Sequence, residues 1–200
     1  MAIPDTVTES KPRLTEQVAQ FFPEPGQWSE TEYFSLPDSN HIVELSEGEL
    51  VMPPPPDFSH QTSSFHLVRA LDRFIEKNDL GILRYAPLAI RLWHGKIREP
   101  DIMFFLKAHQ DRIGERVSGV PDLAIEILSP ATHKTDRNDK FSEYANAGVT
   151  EYWIVDPKER TVEVYALQEG ANLLFGKFVK DEIVKSKWLE GFEIAAAKVF

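Results

Sequence analysis

A chain of 200 residues with 42% hydrophobic and 27% charged side chains is sized for one well-cored domain rather than several. It has no cysteine, which excludes disulfides, thiol nucleophiles and thiolate zinc sites and fits a reducing cytoplasm. The net charge of −10 excludes a broadly cationic surface, yet the acid is concentrated in residues 1–60, with 11 acidic and 2 basic side chains, while residues 61–140 are slightly basic, with 13 basic and 11 acidic.

The chain begins without a basic-then-apolar leader and holds no run of about 18 apolar residues, so neither a secretory signal nor a membrane span is expected. Residues 1–24 read as a polar, partly flexible arm, and 25–200 as the domain. A short helix is expected over Thr31–Leu36 with Ser29 as N-cap. His41 to Met52 reads as a hairpin turning at Ser46-Glu-Gly48. Pro53 to Pro56 end it in a rigid extended link. A helix follows, with Ser59 as candidate cap and Phe65, Val68, Leu71 and Phe74-Ile75 at helical spacing, ending at Asn78 to Gly81.

The middle of the chain turns to strands. Ile82 to Trp93 alternates, with Pro87 marking a bulge or an edge. Asp101–Leu106 and Leu123–Leu128 are continuous apolar runs, the pattern of strands buried on both faces, and Lys107–Gly119 between them reads as a polar loop. A helix is expected over Asp136–Ala147 with Gly148 as its stop, then strands over Glu151–Asp156, Thr161–Leu167, Leu173–Val179 and Glu182–Ser186. Strands interleaved with helices in this order give a mixed α/β domain.

Two Pro-Asp pairs, Pro100-Asp101 and Pro121-Asp122, each open an apolar strand, and the second strand carries Glu126 between Ile125 and Ile127. A carboxylate inside a buried strand is costly unless something compensates it. A divalent metal is one such compensation: Mg²⁺ takes one or two protein carboxylates and completes its shell with waters and phosphate oxygens. Asp101 and Glu126 are thus a candidate ligand pair if their strands are neighbours. The plainer alternatives are a turn aspartate and a satisfied buried acid. Asp122, four residues before Glu126, lies about 13 Å from it on one strand and reads as structural. Lys140 follows Asp136 at i,i+4; spacing alone favours a helix-surface ion pair. The histidines have no zinc-site spacing, although His60 at a helix start could approach a site. No Gly-x-Ser-x-Gly elbow or Gly-rich phosphate loop is present.

The block Pro121-Asp-Leu-Ala-Ile-Glu-Ile-Leu-Ser-Pro130, with Thr132, Asp136, Lys140, Tyr144, Ala147-Gly-Val149, Glu151-Tyr-Trp-Ile-Val-Asp-Pro157 and Thr161-Val-Glu-Val-Tyr165, resembles a large bacterial family of restriction-endonuclease-like proteins in the PD-(D/E)XK nuclease superfamily. Glu47-Gly-Glu-Leu50, Met52-Pro-Pro, His60, Glu99-Pro-Asp101 and Gly191-Phe-Glu-Ile194 extend the resemblance over roughly residues 25–195. It implies a restriction-endonuclease-like α/β core, a mixed central sheet flanked by helices with an N-terminal hairpin extension. It also implies a two-carboxylate Mg²⁺ site (Mn²⁺ as substitute) and hydrolysis of DNA phosphodiesters. Asp101 matches the strand aspartate of the superfamily motif and Glu126 its (D/E). The usual lysine position is Leu128, a departure, and Lys140 on the next helix is the matching residue. An additional acid often completes such sites; Glu49 is the candidate, with Glu44 behind it. The expected partners are DNA and a second copy of the chain. The rival readings are a nuclease-fold DNA-binding or regulatory module that cuts weakly or not at all, and an unrelated two-carboxylate hydrolase acting on sugars.

Overall fold

The computed structural model describes residues 22–37 and 41–200. The expected arm therefore lies almost wholly outside the described residues. Helix α1 spans Glu30–Ser35, and Ser29 caps it in a reciprocal capping box with Glu32. The hairpin is β1 (Glu44–Ser46) and β2 (Glu49–Val51). Its turn holds Gly48 at φ +85°, where an added Cβ would stand 2.3 Å from the carbonyl oxygen of Gly26, so only glycine fits.

Helix α2 spans Phe58–Lys77. Its N-cap is Asp57, which accepts the His60 N–H at 2.9 Å, rather than Ser59. The buried stripe keeps Leu71 and Ile75 from the expected one and departs from it at Phe65. His60, Ser63, Leu67, Leu71 and Ile75 face inward at i+3/i+4 spacing, while Phe65 is exposed. The segment 82–93 is two strands in different sheets, β3 (Gly81–Tyr85) and β4 (Ala89–Trp93), with Pro87 in the crossing between them. Strands β5 (Lys96–Arg98) and β6 (Ile102–Leu106) follow. The expected polar loop contains a 3₁₀ helix, Lys107–Arg112, and a short strand, β7 (Val117–Ser118). After β8 (Leu123–Ile127), the single expected helix is broken at Asn138 into α3 (His133–Arg137) and α4 (Asp139–Ala147). Gly148 closes α4 in the left-handed conformation. The chain continues through β9 (Glu151–Asp156), β10 (Thr161–Gln168), β11 (Ala171–Val179) and β12 (Ile183–Lys185). A closing strand, β13 (Glu193–Ala195), pairs with β12.

The central sheet has six strands in the order β11-β10-β9-β8-β6-β3, and only β8–β9 is parallel. It is packed on both faces, which explains the continuous apolar runs. On one face Leu67, Leu71 and Ile75 of α2 meet Ile102, Phe104, Ile125, Ile127 and Trp153. On the other, Tyr144 of α4 and Ile90 and Leu92 of β4 meet Met103, Phe105, Ala124, Leu128 and Tyr152. Strand alternation therefore assigns Asp101 and Glu126 to this second face, in phase with Met103 and Ala124. The hairpin does not stand apart. β1 pairs with β5 in a second sheet ordered β2-β1-β5-β4-β7, so the N-terminal strands are carried against the face that bears Glu126. Among the described residues no helix is long and apolar enough to cross a membrane.

Candidate active site

Antiparallel pairing of β6 with β8 sets Ile102 opposite Ile125, and continuing that register sets Asp101 opposite Glu126. Cross-strand neighbours of this kind hold their Cβ atoms about 5 Å apart. Asp101 sits just before its strand. Its Oδ2 accepts the Ile127 N–H at 2.7 Å and lies 3.2 Å from Nε2 of His60 at the start of α2. That contact raises the affinity of His60 for a proton despite the opposing effect of burial. The other imidazole nitrogen, Nδ1, is buried without a hydrogen bond.

Lys140 comes down from α4 and is buried. Its Nζ lies 2.9 Å from Glu126 Oε1, 3.0 Å from Glu44 Oε1 and 3.5 Å from Asp136 Oδ1. The i,i+4 pair with Asp136 exists, but it points inward, so the exposed-lysine alternative does not describe this residue. Both side chains are buried, Asp136 at the end of α3 and Lys140 at the start of α4. Tyr144, one turn after Lys140, donates its hydroxyl to the same Glu126 oxygen at 2.6 Å. Burial would strip Lys140 of its proton, but three carboxylates hold it firmly charged. Burial pushes the Glu126 carboxyl well up, and Lys140 offsets this only in part. Asp136 is raised for the same reason, and its Oδ1 is buried without a hydrogen bond.

Glu44, not Glu49, is the hairpin acid that joins the cluster. Glu49 is exposed on β2, paired with Ser46 across the turn. Glu44 is buried; its Oε1 accepts the Glu99 N–H at 3.1 Å, and its Oε2 accepts Arg98 Nη1 at 2.8 Å. Lys140 and Arg98 overcome the effect of burial and keep Glu44 ionised more readily than an ordinary carboxylate. Arg98 then forks onto Glu143 of α4 at 2.7 and 2.8 Å, and Lys96 reaches Glu143 at 2.9 Å. The planar guanidinium thus ties the second sheet to α4 across the cluster. Glu99 completes the wall. Burial and the neighbouring Glu44 push its carboxyl up to about 7, although the Val43 N–H donates to it.

Asp101, Glu126, Glu44, Lys140, His60, Ser129 and Thr132 line a small cleft of about 50 Å³ beside the Pro53–Pro56 run. Four carboxylates, Asp101, Glu126, Glu44 and Asp136, face two firm cations, Lys140 and Arg98. An added cation would offset the burial that pushes the Glu126 and Asp136 carboxyls up. Among the described residues no three or more acidic or histidine side chains converge as a ready-made ion cage. The donor set fits a hard ion held by two carboxylates and otherwise by water and substrate oxygens, the usual manner of Mg²⁺.

Asp122 is placed apart. Its oxygens accept the Leu106 N–H and pair with His109 Nδ1, each at 2.7 Å, so it locks a strand end. The roles of Tyr144, Arg98 and Asp136 were not foreseen. The signals were present: Arg98 and Lys96 flank Ile97 in a strand that is buried throughout, and Asp136 precedes Lys140 by one turn.

The family model described as "Uma2: Putative restriction endonuclease" matches residues 30–197. Among solved structures, a "putative nuclease belonging to DUF820 from Anabaena variabilis ATCC 29413" superposes with a TM-score of 0.74 at 22% identity, covering 86% of this chain and 97% of that one. At that identity the likeness speaks for the fold. No curated protein matches the chain.

Proposed function

The chain belongs to the Uma2 family of restriction-endonuclease-like proteins, and we propose that it is a metal-dependent endonuclease that hydrolyses DNA phosphodiester bonds at the Asp101–Glu126–Lys140 cleft. The observation that carries this reading is the meeting of Glu126, Glu44 and Asp136 on one buried ammonium, with Asp101 opposite Glu126 in register. Asp101 and Glu126 are the ligands for Mg²⁺, or for Mn²⁺ in its place. The ion, when bound, supplies Lewis acidity toward the phosphate and the attacking water. Lys140 presents a fixed positive charge to the phosphate where negative charge develops. Glu44 holds the same ammonium together with Glu126. Tyr144 fixes the Glu126 carboxylate by its hydroxyl, and His60 fixes Asp101 at Oδ2. Glu49 has no role in this arrangement. Two copies related by a two-fold axis would present two such clefts to the two strands of a duplex.

The test is cleavage of supercoiled plasmid and labelled oligonucleotides with Mg²⁺, with Mn²⁺ and with chelator, by wild type and Glu126→Gln. Glu126→Gln preserves shape, and circular dichroism checks the fold. The expected outcome is metal-dependent cutting that falls by about 10²-fold or more in the variant. Equal cutting by both proteins would remove Glu126 from the site. Binding without cutting by wild type would establish the DNA-binding-module alternative.

A further inference from the structure

The cleft opens into a larger groove of about 450 Å³ that the reading above leaves unused. His60, Asp101, Pro53, Pro54 and Pro56 line both spaces, so the groove is continuous with the proposed ligand pair. Its lining includes the Pro53–Pro56 run together with Tyr85 and Pro87. Tyr85 ends β3, the edge strand of the central sheet, and is 60% exposed. None of the described lining residues is lysine or arginine, and the only carboxylate is Asp101.

A duplex tracked by its phosphates needs cations along its path, since phosphate neutralisation dominates duplex binding. Among the described residues this wall has only His41 and His60 as basic side chains. It offers an exposed aromatic ring and a rigid apolar run, at a size within the range of small-molecule pockets. Unpaired bases stack on aromatic side chains because every base has a π-face, while the strand's phosphates are neutralised beside them. We propose that the groove receives an unpaired nucleotide next to the scissile phosphate, its base against Tyr85 and the proline run, so that the substrate is single-stranded DNA or a duplex carrying a flap, bulge or displaced strand. The proposal rests on the nuclease reading and narrows its substrate. A base seated there fixes the adjacent phosphate over Asp101 and Glu126, so the preference appears in cutting as well as in binding.

The experiment compares three labelled substrates of one sequence: a matched duplex, the same duplex with an unpaired flap, and the single strand, each with Mg²⁺. Wild type, Tyr85→Ala and Tyr85→Trp are assayed together. Wild type is expected to cut the flap and the single strand at least about tenfold faster than the matched duplex. Tyr85→Ala should lose about tenfold of that preference, the scale of one stacked base, and Tyr85→Trp should keep it. The proposal is overturned if the matched duplex is cut as fast as the others, or if Tyr85→Ala leaves the preference intact. It is also overturned if Tyr85→Ala halves the particle mass in sedimentation, since the groove is then a contact between copies. If wild type cuts nothing, the nuclease reading fails separately. The groove is then judged by fluorescence anisotropy on the same oligonucleotides, where equal affinity for single strand and duplex overturns it.

Discussion

The two ends of β8 carry acids that are held in opposite ways. At the end where Asp122 enters the strand, Glu151 of the parallel neighbour β9 sits in register with Leu123. Glu151 accepts hydrogen bonds from the Lys187 and Trp188 N–H groups, the Trp153 indole and the Ser186 hydroxyl. Asp122 accepts the Leu106 N–H and a histidine. At the other end, the recorded partners of Glu126 are one ammonium and one phenol, and both meet the same oxygen. Backbone amides cannot leave without unfolding a strand, whereas a lysine head can shift toward a phosphate. Glu151 and Asp122 hold the fold together, whereas Glu126 is available to a cation; Asp101 stands between the two, with a backbone amide and His60 both on its Oδ2.

Removing the lysine should produce the largest effect. Lys140→Ala leaves Glu126, Glu44 and Asp136 buried around a missing charge, and breaking one partner out of a buried ion pair costs about 3–5 kcal/mol. Urea unfolding should show that loss, and Mg²⁺ should restore part of it by neutralising the same acids. A Lys140→Ala protein as stable as wild type would contradict the picture of a buried ammonium that three acids depend on.

A matched pair of substitutions sharpens the contrast at intermediate size. Glu126→Gln removes charge from the under-neutralised end and is expected to leave stability nearly unchanged while abolishing the rise in melting temperature with Mg²⁺. A site-bound ion at 100 times its Kd is worth about 2.7 kcal/mol, so the loss is readable by calorimetry. Glu151→Ala strands two backbone amides, a hydroxyl and an indole, and should cost about 1–3 kcal/mol for each donor that stays buried without a partner. The Mg²⁺ response of that variant should survive. If the two proteins exchanged behaviours, the division between the ends of β8 would be wrong.

Much of this was legible in the sequence, and the exceptions share a cause. The buried strands around Asp101 and Glu126 could be read because both faces are covered and the apolar runs are unbroken. Their adjacency could not, since β6 and β8 are separated by the 3₁₀ helix and β7. That Glu44 rather than Glu49 joins the cluster was hidden for a similar reason. Both lie on one face of the hairpin, and only the pairing of β1 with β5 makes Glu44 an inner-strand residue that reaches α4 while Glu49 stays on the edge strand. Leu71 and Ile75 on α2 were legible, but Phe65 was not, because it is the more apolar residue while His60 and Ser63 are the ones that face inward, at the end nearest the cleft. The family resemblance, rather than spacing, pointed to Lys140 as more than a surface residue.

Glu163 provides the smallest effect and the most direct check of what makes an acid available. It too is buried and its recorded partners are side chains: Arg137 at 2.9 Å, Lys177 at 2.9 Å and Tyr165 at 2.6 Å. Here, however, two cations serve one carboxylate, and although burial opposes it, these partners bring its pKa down to about 2. A carboxyl whose folded value lies below its unfolded one stabilises the protein fully above the unfolded value, near 4.5, and that contribution disappears as the pH falls through about 2. Glu163→Gln should therefore lower stability near neutrality by an amount on the order of 1 kcal/mol, since Lys177 is half exposed and well screened. The difference between variant and wild type should shrink between pH 4.5 and 2. Mg²⁺ should not alter it, because a carboxylate with surplus positive charge has nothing to gain from another cation. A metal-dependent difference at Glu163 would show that side-chain partners alone, rather than a deficit of positive charge, are enough to attract an ion, and the distinction drawn for Glu126 would have to be abandoned.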